Sequence, residues 1–171
     1  FFLIFSSLTL IGLLTGCLGI PDGIKVVDNF EAPRYLGKWF EIARLDHSFE
    51  RGLQEITAEY SQNGDGSLKV VNSGFNPKKN ARESAEGKAY FIGDTSVGSL
   101  KVTFFWPFYG SYNIISLDRQ NYSYAMITGP DRDYLWILAR TPSLPKQVLE
   151  QLVAEAKRLG FATENLIFVK Q

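Results

Sequence analysis

Eight short runs of alternating apolar and polar residues, separated by turn-forming sequences, dominate this chain. Successive side chains of a strand point to opposite faces, so a period of two marks strands with one buried face. The runs cover 35–44, 55–62, 67–75, 83–92, 99–106, 111–118, 122–128 and 133–140. Asn63-Gly64-Asp65-Gly66, Asn76-Pro77-Lys78-Lys79-Asn80 and the stretch 93–98 break them. Glycine and asparagine supply the positive φ of tight turns, and proline cannot continue a ladder. Many short strands with short connections predict an all-β barrel or sandwich. The period then changes. Val148, Leu149, Leu152, Val153, Ala156 and Leu159 form one helical stripe. Ser143 is a candidate N-cap, Pro145 suits the first turn, and Lys157 and Arg158 complement the helix dipole before Gly160. This predicts a helix over about 144–159, with a possible last strand at 166–169. One helix outside eight strands fits a closed barrel better than a sandwich. The expected fold is an all-β, eight-stranded up-and-down antiparallel β-barrel with a C-terminal α-helix packed outside.

Charge and catalytic inventory narrow the function. Lys+Arg and Asp+Glu are both 18, so no general basic field exists for nucleic acid. Hydrophobic content of 45% suffices for one core. One cysteine excludes an internal disulfide, and one cysteine with one histidine cannot assemble a Cys/His metal cluster or a Cys–His dyad. No Gly-x-Ser-x-Gly elbow is present. His47, between Asp46 and Glu50, reads as a histidine of a surface loop. No cofactor, no metal and no enzymatic activity are expected.

The cysteine follows an uncharged run, 1–16, rich in Phe, Leu and Ile. A bilayer span takes ~20 apolar residues, so the run is short for one and fits the apolar region of a signal peptide. The basic segment that usually opens such a signal is missing. Leu14-Thr15-Gly16-Cys17 resembles the bacterial lipobox. The resemblance implies cleavage before Cys17, acylation of Cys17, a short tether over 17–23 and a domain over 24–171. Leu18 follows the cysteine where an Asp tends to retain enterobacterial lipoproteins in the inner membrane. The implied location is therefore the outer membrane, lipid-anchored, on the periplasmic side of a Gram-negative envelope.

Other segments resemble a known family. Gly37-Lys38-Trp39 on the first strand resembles the lipocalin Gly-x-Trp motif, and Arg140 the lone arginine that packs across that tryptophan. Arg132-Asp133-Tyr134 departs in its first residue from the family's Thr-Asp-Tyr. Together with "RYLGKWFEIAR", "FERGL", "AEGKAYF" and "GPDRDYLWILAR", these pieces are similar to the bacterial outer-membrane lipocalins, relatives of apolipoprotein D. The resemblance runs from about Gly23 onward and implies a closed end built on Gly37, Trp39 and Arg140.

Alternation assigns faces. Trp39 sets the phase of strand one, bringing Glu41 and Ala43 to its side; Arg140 sets strand eight, with Trp136 and Leu138 inside. Charged neighbours place Ile56, Ala58 and Tyr60 inward, then Leu68, Val70 and Asn72, then Val102 and Phe104. On strand six alternation leaves two choices, and the resemblance favours Asn113, Ile115 and Leu117. Alternation alone does not decide whether these side chains enclose a cavity or fill the barrel; the resemblance implies a cavity. Trp106, Phe108 and Tyr109, with Pro107, form an aromatic lip at the mouth, beside the basic Lys78, Lys79 and Arg82, with Arg51 near. An apolar hole under such a lip suits a single-chain amphiphile, a fatty acid or lysophospholipid. The lip also offers a surface for membrane contact or homodimerisation. The rival reading is an envelope scaffold lipoprotein with a packed barrel; an enzyme acting on lipids ranks third.

Overall fold

The computed structural model describes residues 18–171, so the leader and Cys17 lie outside the described residues. Eight strands follow one another around an antiparallel sheet: β1 (Gly37–Arg44), β2 (Gln54–Gln62), β3 (Leu68–Asn76), β4 (Ala81–Phe91), β5 (Ser99–Phe105), β6 (Phe108–Leu117), β7 (Tyr124–Thr128) and β8 (Leu135–Ala139). β1 pairs with β8 on one side and β2 on the other, so the sheet closes into a barrel. Closure pairs the edges that an open sheet would leave exposed. A short helix α1 (Ala32–Tyr35) precedes β1; α2 (Lys146–Arg158) and the two-residue β9 (Ile167–Phe168) follow β8.

The β1–β2 ladder is short. It runs from Gly37↔Tyr60 to Phe40↔Thr57. Above it the chain's last residues take over. Val169 N donates to Ile42 O at 2.9 Å, and Glu55 N to Lys170 O at 2.6 Å. The Gln171 side-chain amide bridges both strands, donating to Glu41 O at 2.6 Å and Ile56 O at 3.0 Å. The expected return near 166–169 is thus a stitch across the seam of the wall.

Apolar residues divide between two cores. One fills the lower barrel around Trp39, Leu68, Ile127 and Leu138. The other lies outside, where Leu152 and Ala156 of α2 cover Ala43, Ile115, Met126, Leu135 and Ile137. The helix starts after Pro145, which occupies the N-cap, and Ser143 caps nothing. A residue before proline avoids the helical region, so Leu144 cannot extend the helix backwards. Residues 18–30 are strapped to the wall: Asn113 Nδ2 donates to Gly19 O at 2.8 Å, and Arg132 to Asp22 O at 2.7 Å.

Two bulges overturn part of the face assignment. In β1 the register shifts between Glu41 and Ala43. An extra residue in one strand reverses the phase beyond it. Glu41 pairs with Leu138 and Arg44 with Trp136, both inward, while Ala43 joins the outer core. In β6 the shift lies between Ile114 and Ser116. Ile114, opposite Ile127, faces inward, and Ile115 packs under α2. Asn113 pairs with Thr128 and is buried beneath the N-terminal strap, hydrogen-bonded to Gly19 O and Ser99 Oγ, so it too leaves the lumen. Leu117 regains the inward phase expected for it.

At the closed end the Arg140 guanidinium lies 3.9 Å from the Trp39 ring centre. It donates to Arg34 O at 2.8 Å, Lys38 O at 3.0 Å and Tyr122 O at 3.2 Å, and Trp39 Nε1 donates to Tyr35 O at 2.8 Å. Gly37 has φ of 92°, and a Cβ there would stand 3.5 Å from Arg140. Trp39→Ala should cost ~3–5 kcal/mol of stability, the range for emptying a buried aromatic site. Arg140→Ala, measured alone and with it by denaturant melts, should show a coupling of ~0.5 kcal/mol or more; simple additivity would exclude a shared contact.

Candidate functional site

The candidate site is the barrel interior, built from the floor upward. Tyr35 of α1, Tyr60 of β2 and Tyr112 of β6 converge there. Tyr35 and Tyr112 hydroxyls stand 2.6 Å apart, and Tyr60 donates to Tyr112 at 2.9 Å. Burial pushes all three phenols up, above the ordinary tyrosine range, so they stay neutral. Three hydroxyl hydrogens serve two hydrogen bonds, which leaves one donor over. Of the three rings, Tyr112 is the half-buried one.

The walls above are apolar. Ile56, Ala58, Tyr60, Val70, Val102, Trp136 and Leu138 keep the inward phase set by the registers with Trp39, Asn72, Ala89 and Glu41. Among these inward positions Ala58, Val102 and Trp136 are half-buried rather than fully buried, and inward Ala85 is exposed. Phe104 follows on β5, with its ring laid on Gly87, the partner of inward Val70, and it is 36% exposed at the edge of a groove shared with Lys69, Glu86 and Lys88.

Under the mouth lies a charged cluster that alternation conceals. Arg44, turned inward by the β1 bulge, donates to Glu41 Oε1 at 3.1 Å and Glu50 O at 3.0 Å. Trp136 Nε1 donates to Glu50 Oε2 at 3.2 Å. His47 Nε2 approaches the same oxygen to 2.9 Å, off hydrogen-bond geometry, and its ring stacks on Phe49. His47 is 7% exposed, so the sequence reading of a surface histidine is corrected: its loop folds over the barrel. Arg44 Nε and the inward Asn72 Oδ1 are buried without a protein partner. Such groups are costly unless a ligand or water satisfies them.

The mouth differs from its expected form. Lys79 pairs with Glu83 at 2.6 Å, Arg82 with Glu55 at 2.8 Å and Arg51 with Asp46 at 2.7 Å. Lys78 has no acidic partner at ion-pair distance among the described residues. The expected cationic rim is thus mostly neutralised. The lip also turns outward: Tyr109 packs on Tyr90 beneath Lys101, on the outer face, and Trp106 shares the surface groove with Asp65 of the β2–β3 turn. Phe108 is 76% exposed at the same hairpin.

Burial, then repulsion from Glu50, pushes the Glu41 carboxyl well above the ordinary glutamate range, against the pull of Arg44. A group whose native pKa is raised favours folding below its unfolded pKa, and the benefit is lost as pH rises through the native value. Glu41→Gln has no proton to lose. Its stability relative to the parent should therefore improve as pH climbs from the ordinary glutamate pKa of 4.5 upward. Urea melts across that window check this; a difference flat with pH would mean the carboxylate is not desolvated.

The chain matches the model of the Lipocalin-like domain over residues 30–171. It is 52% identical to outer membrane lipoprotein Blc of Vibrio cholerae over 159 residues, 93% of each chain. It is 56% identical to Blc of Citrobacter freundii, covering 88% of this chain and 85% of that one. Relatives this similar place the chain at the outer membrane. Among solved structures, insecticyanin from the tobacco hornworm Manduca sexta superposes with a TM-score of 0.71 at 23% identity, covering 90% of this chain and 87% of that one. That likeness concerns the fold. With its Gly-x-Trp strand, its capping arginine and its closed eight-stranded barrel, the chain belongs to the lipocalin family.

Proposed function

We propose that this protein is a non-enzymatic lipid carrier or store of the outer membrane, holding one single-chain amphiphile, a fatty acid or lysophospholipid, with its tail in the lumen. The observation that carries this reading is the half-buried apolar wall of Ala58, Val102 and Trp136, set between a neutral tyrosine floor and a buried charged cluster. Eight strands enclose room for one small ligand, and each buried methylene contributes ~0.8 kcal/mol. A polar head stays near water, close to Lys78, Lys79 and Arg82, because desolvating it without partners is costly. Lys79 and Arg82 already have acidic partners, so the rim contributes little: exposed charge pairs are worth ~0–1 kcal/mol. Cys17 carries the acyl anchor in this reading.

Titration of delipidated protein with an acyl series, followed by Trp136 fluorescence, tests the cavity. Affinity should rise about fourfold per methylene until the lumen is full. Val102→Glu should abolish binding without unfolding the barrel. Absence of chain-length dependence, together with native mass spectra free of lipid, would favour the scaffold reading. Cys17→Ser should abolish incorporation of radiolabelled palmitate; undiminished label would refute the anchor.

A further inference from the structure

The three most exposed large apolar side chains among the described residues lie together. Phe105 is 81% exposed, Trp106 80% and Phe108 76%, all in the β5–β6 hairpin. Four residues back along β5, Lys101 lies on the outer face with its ammonium 4.9 Å from the Tyr109 ring centre and 6.0 Å from that of Tyr90. Lys88 also approaches Tyr90, its ammonium 5.3 Å from the ring centre. The same Lys101 borders a shallow groove with Leu18, Ile20, Phe91 and Ile92. Leu18, Ile20 and Ile92 are themselves 40–44% exposed. One flank thus runs from the N-terminal strap, across a lysine–tyrosine belt, to an aromatic tip.

Isolated exposed apolar residues need no explanation, but a continuous strip does. Its composition is that of a membrane interface. Tryptophan and tyrosine favour the headgroup level, and lysines there keep their stems in apolar surroundings and their charge in water. The anchor supplies the occupant. Cys17 directly precedes Leu18, and Leu18 lies on this flank, so acyl chains on Cys17 tether the β4–β6 side of the barrel to the bilayer.

We propose that this flank is a membrane-docking surface: the β5–β6 hairpin inserts Phe105, Trp106 and Phe108 into the interfacial layer, and the tyrosine–lysine belt lies along the headgroups. The inference rests on the acylation of Cys17 for the anchor's place. Two acyl chains already hold a protein at a membrane. The hairpin therefore adds orientation more than affinity. It lays the barrel mouth beside the bilayer, so that an acyl chain passes between lumen and membrane with little exposure to water.

The acylated protein, reconstituted in phosphatidylethanolamine–phosphatidylglycerol vesicles, allows a direct test. Phospholipids brominated near the headgroup should quench a substantial fraction of tryptophan emission. Trp106→Ser should remove most of that quenching, because Trp39 is buried at the closed end and Trp136 faces the lumen. The variant should still float with the vesicles, held by its anchor. Flotation without quenching in the parent protein would overturn the docking surface and leave the anchor intact. Failure of the parent to float would overturn the anchor; brominated lipid then decides whether the hairpin binds alone, and no quenching overturns the docking surface as well. An unquenched, blue-shifted Trp106 in a dimer that Trp106→Ser dissociates would assign the hairpin to a second copy and overturn the membrane assignment.

Discussion

The molecule depends on β1 being paired along both sides. Only Gly37–Phe40 reach β2 directly. The rest of the seam is held by β9 and the side chain of Gln171, which ties two strands that no longer touch. Without that closure the inward faces of β1 and β2 would open to solvent, and neither the tyrosine floor nor the charged cluster would be dry. Arg140 acts at the other end of the same strand. Its three carbonyl acceptors fix it over Trp39, so one cation caps the barrel while hydrogen-bonding α1, β1 and the β6–β7 turn.

The two bulges do more than adjust register. The β1 bulge sends Ala43 outward to meet α2 and Arg44 inward to meet Glu41. The β6 bulge sends Ile115 to the same helix and lets Leu117 rejoin the interior. On β1, helix packing outside and charge placement inside are therefore two results of one backbone irregularity. Buried in this way, the pairing of Arg44 with Glu41 is screened by salt far less than the exposed pairs of the rim.

Much of this was legible in the sequence. Alternation found all eight strands, and on β2, β3 and β8 it gave the right inward faces for Ala58, Val70 and Leu138. It failed where its premise failed. A bulge leaves no compositional mark: on β6 alternation left two phases open, the resemblance favoured the one that holds only for Leu117, and on β1 Arg44 was missed. Asn113 also shows why a polar residue amid apolar ones does not imply a lumen: its amide serves the strap. His47 looked like a solvent-facing loop residue, because nothing local tells a loop that folds inward from one that does not. Tyr35 and Tyr112 are ordinary tyrosines until the topology brings them to Tyr60.

The stitch at the seam has a kinetic side. Gln171 bonds residues 130 and 115 positions earlier in the chain. Contacts that distant carry a loop-closure cost before they give any reward, and barrels dominated by them fold slowly. The upper halves of β1 and β2 stay parted until residues 169–171 have joined the wall. Closure of the seam therefore waits on the most distant contacts of the barrel, and its dryness is the last property that folding confers.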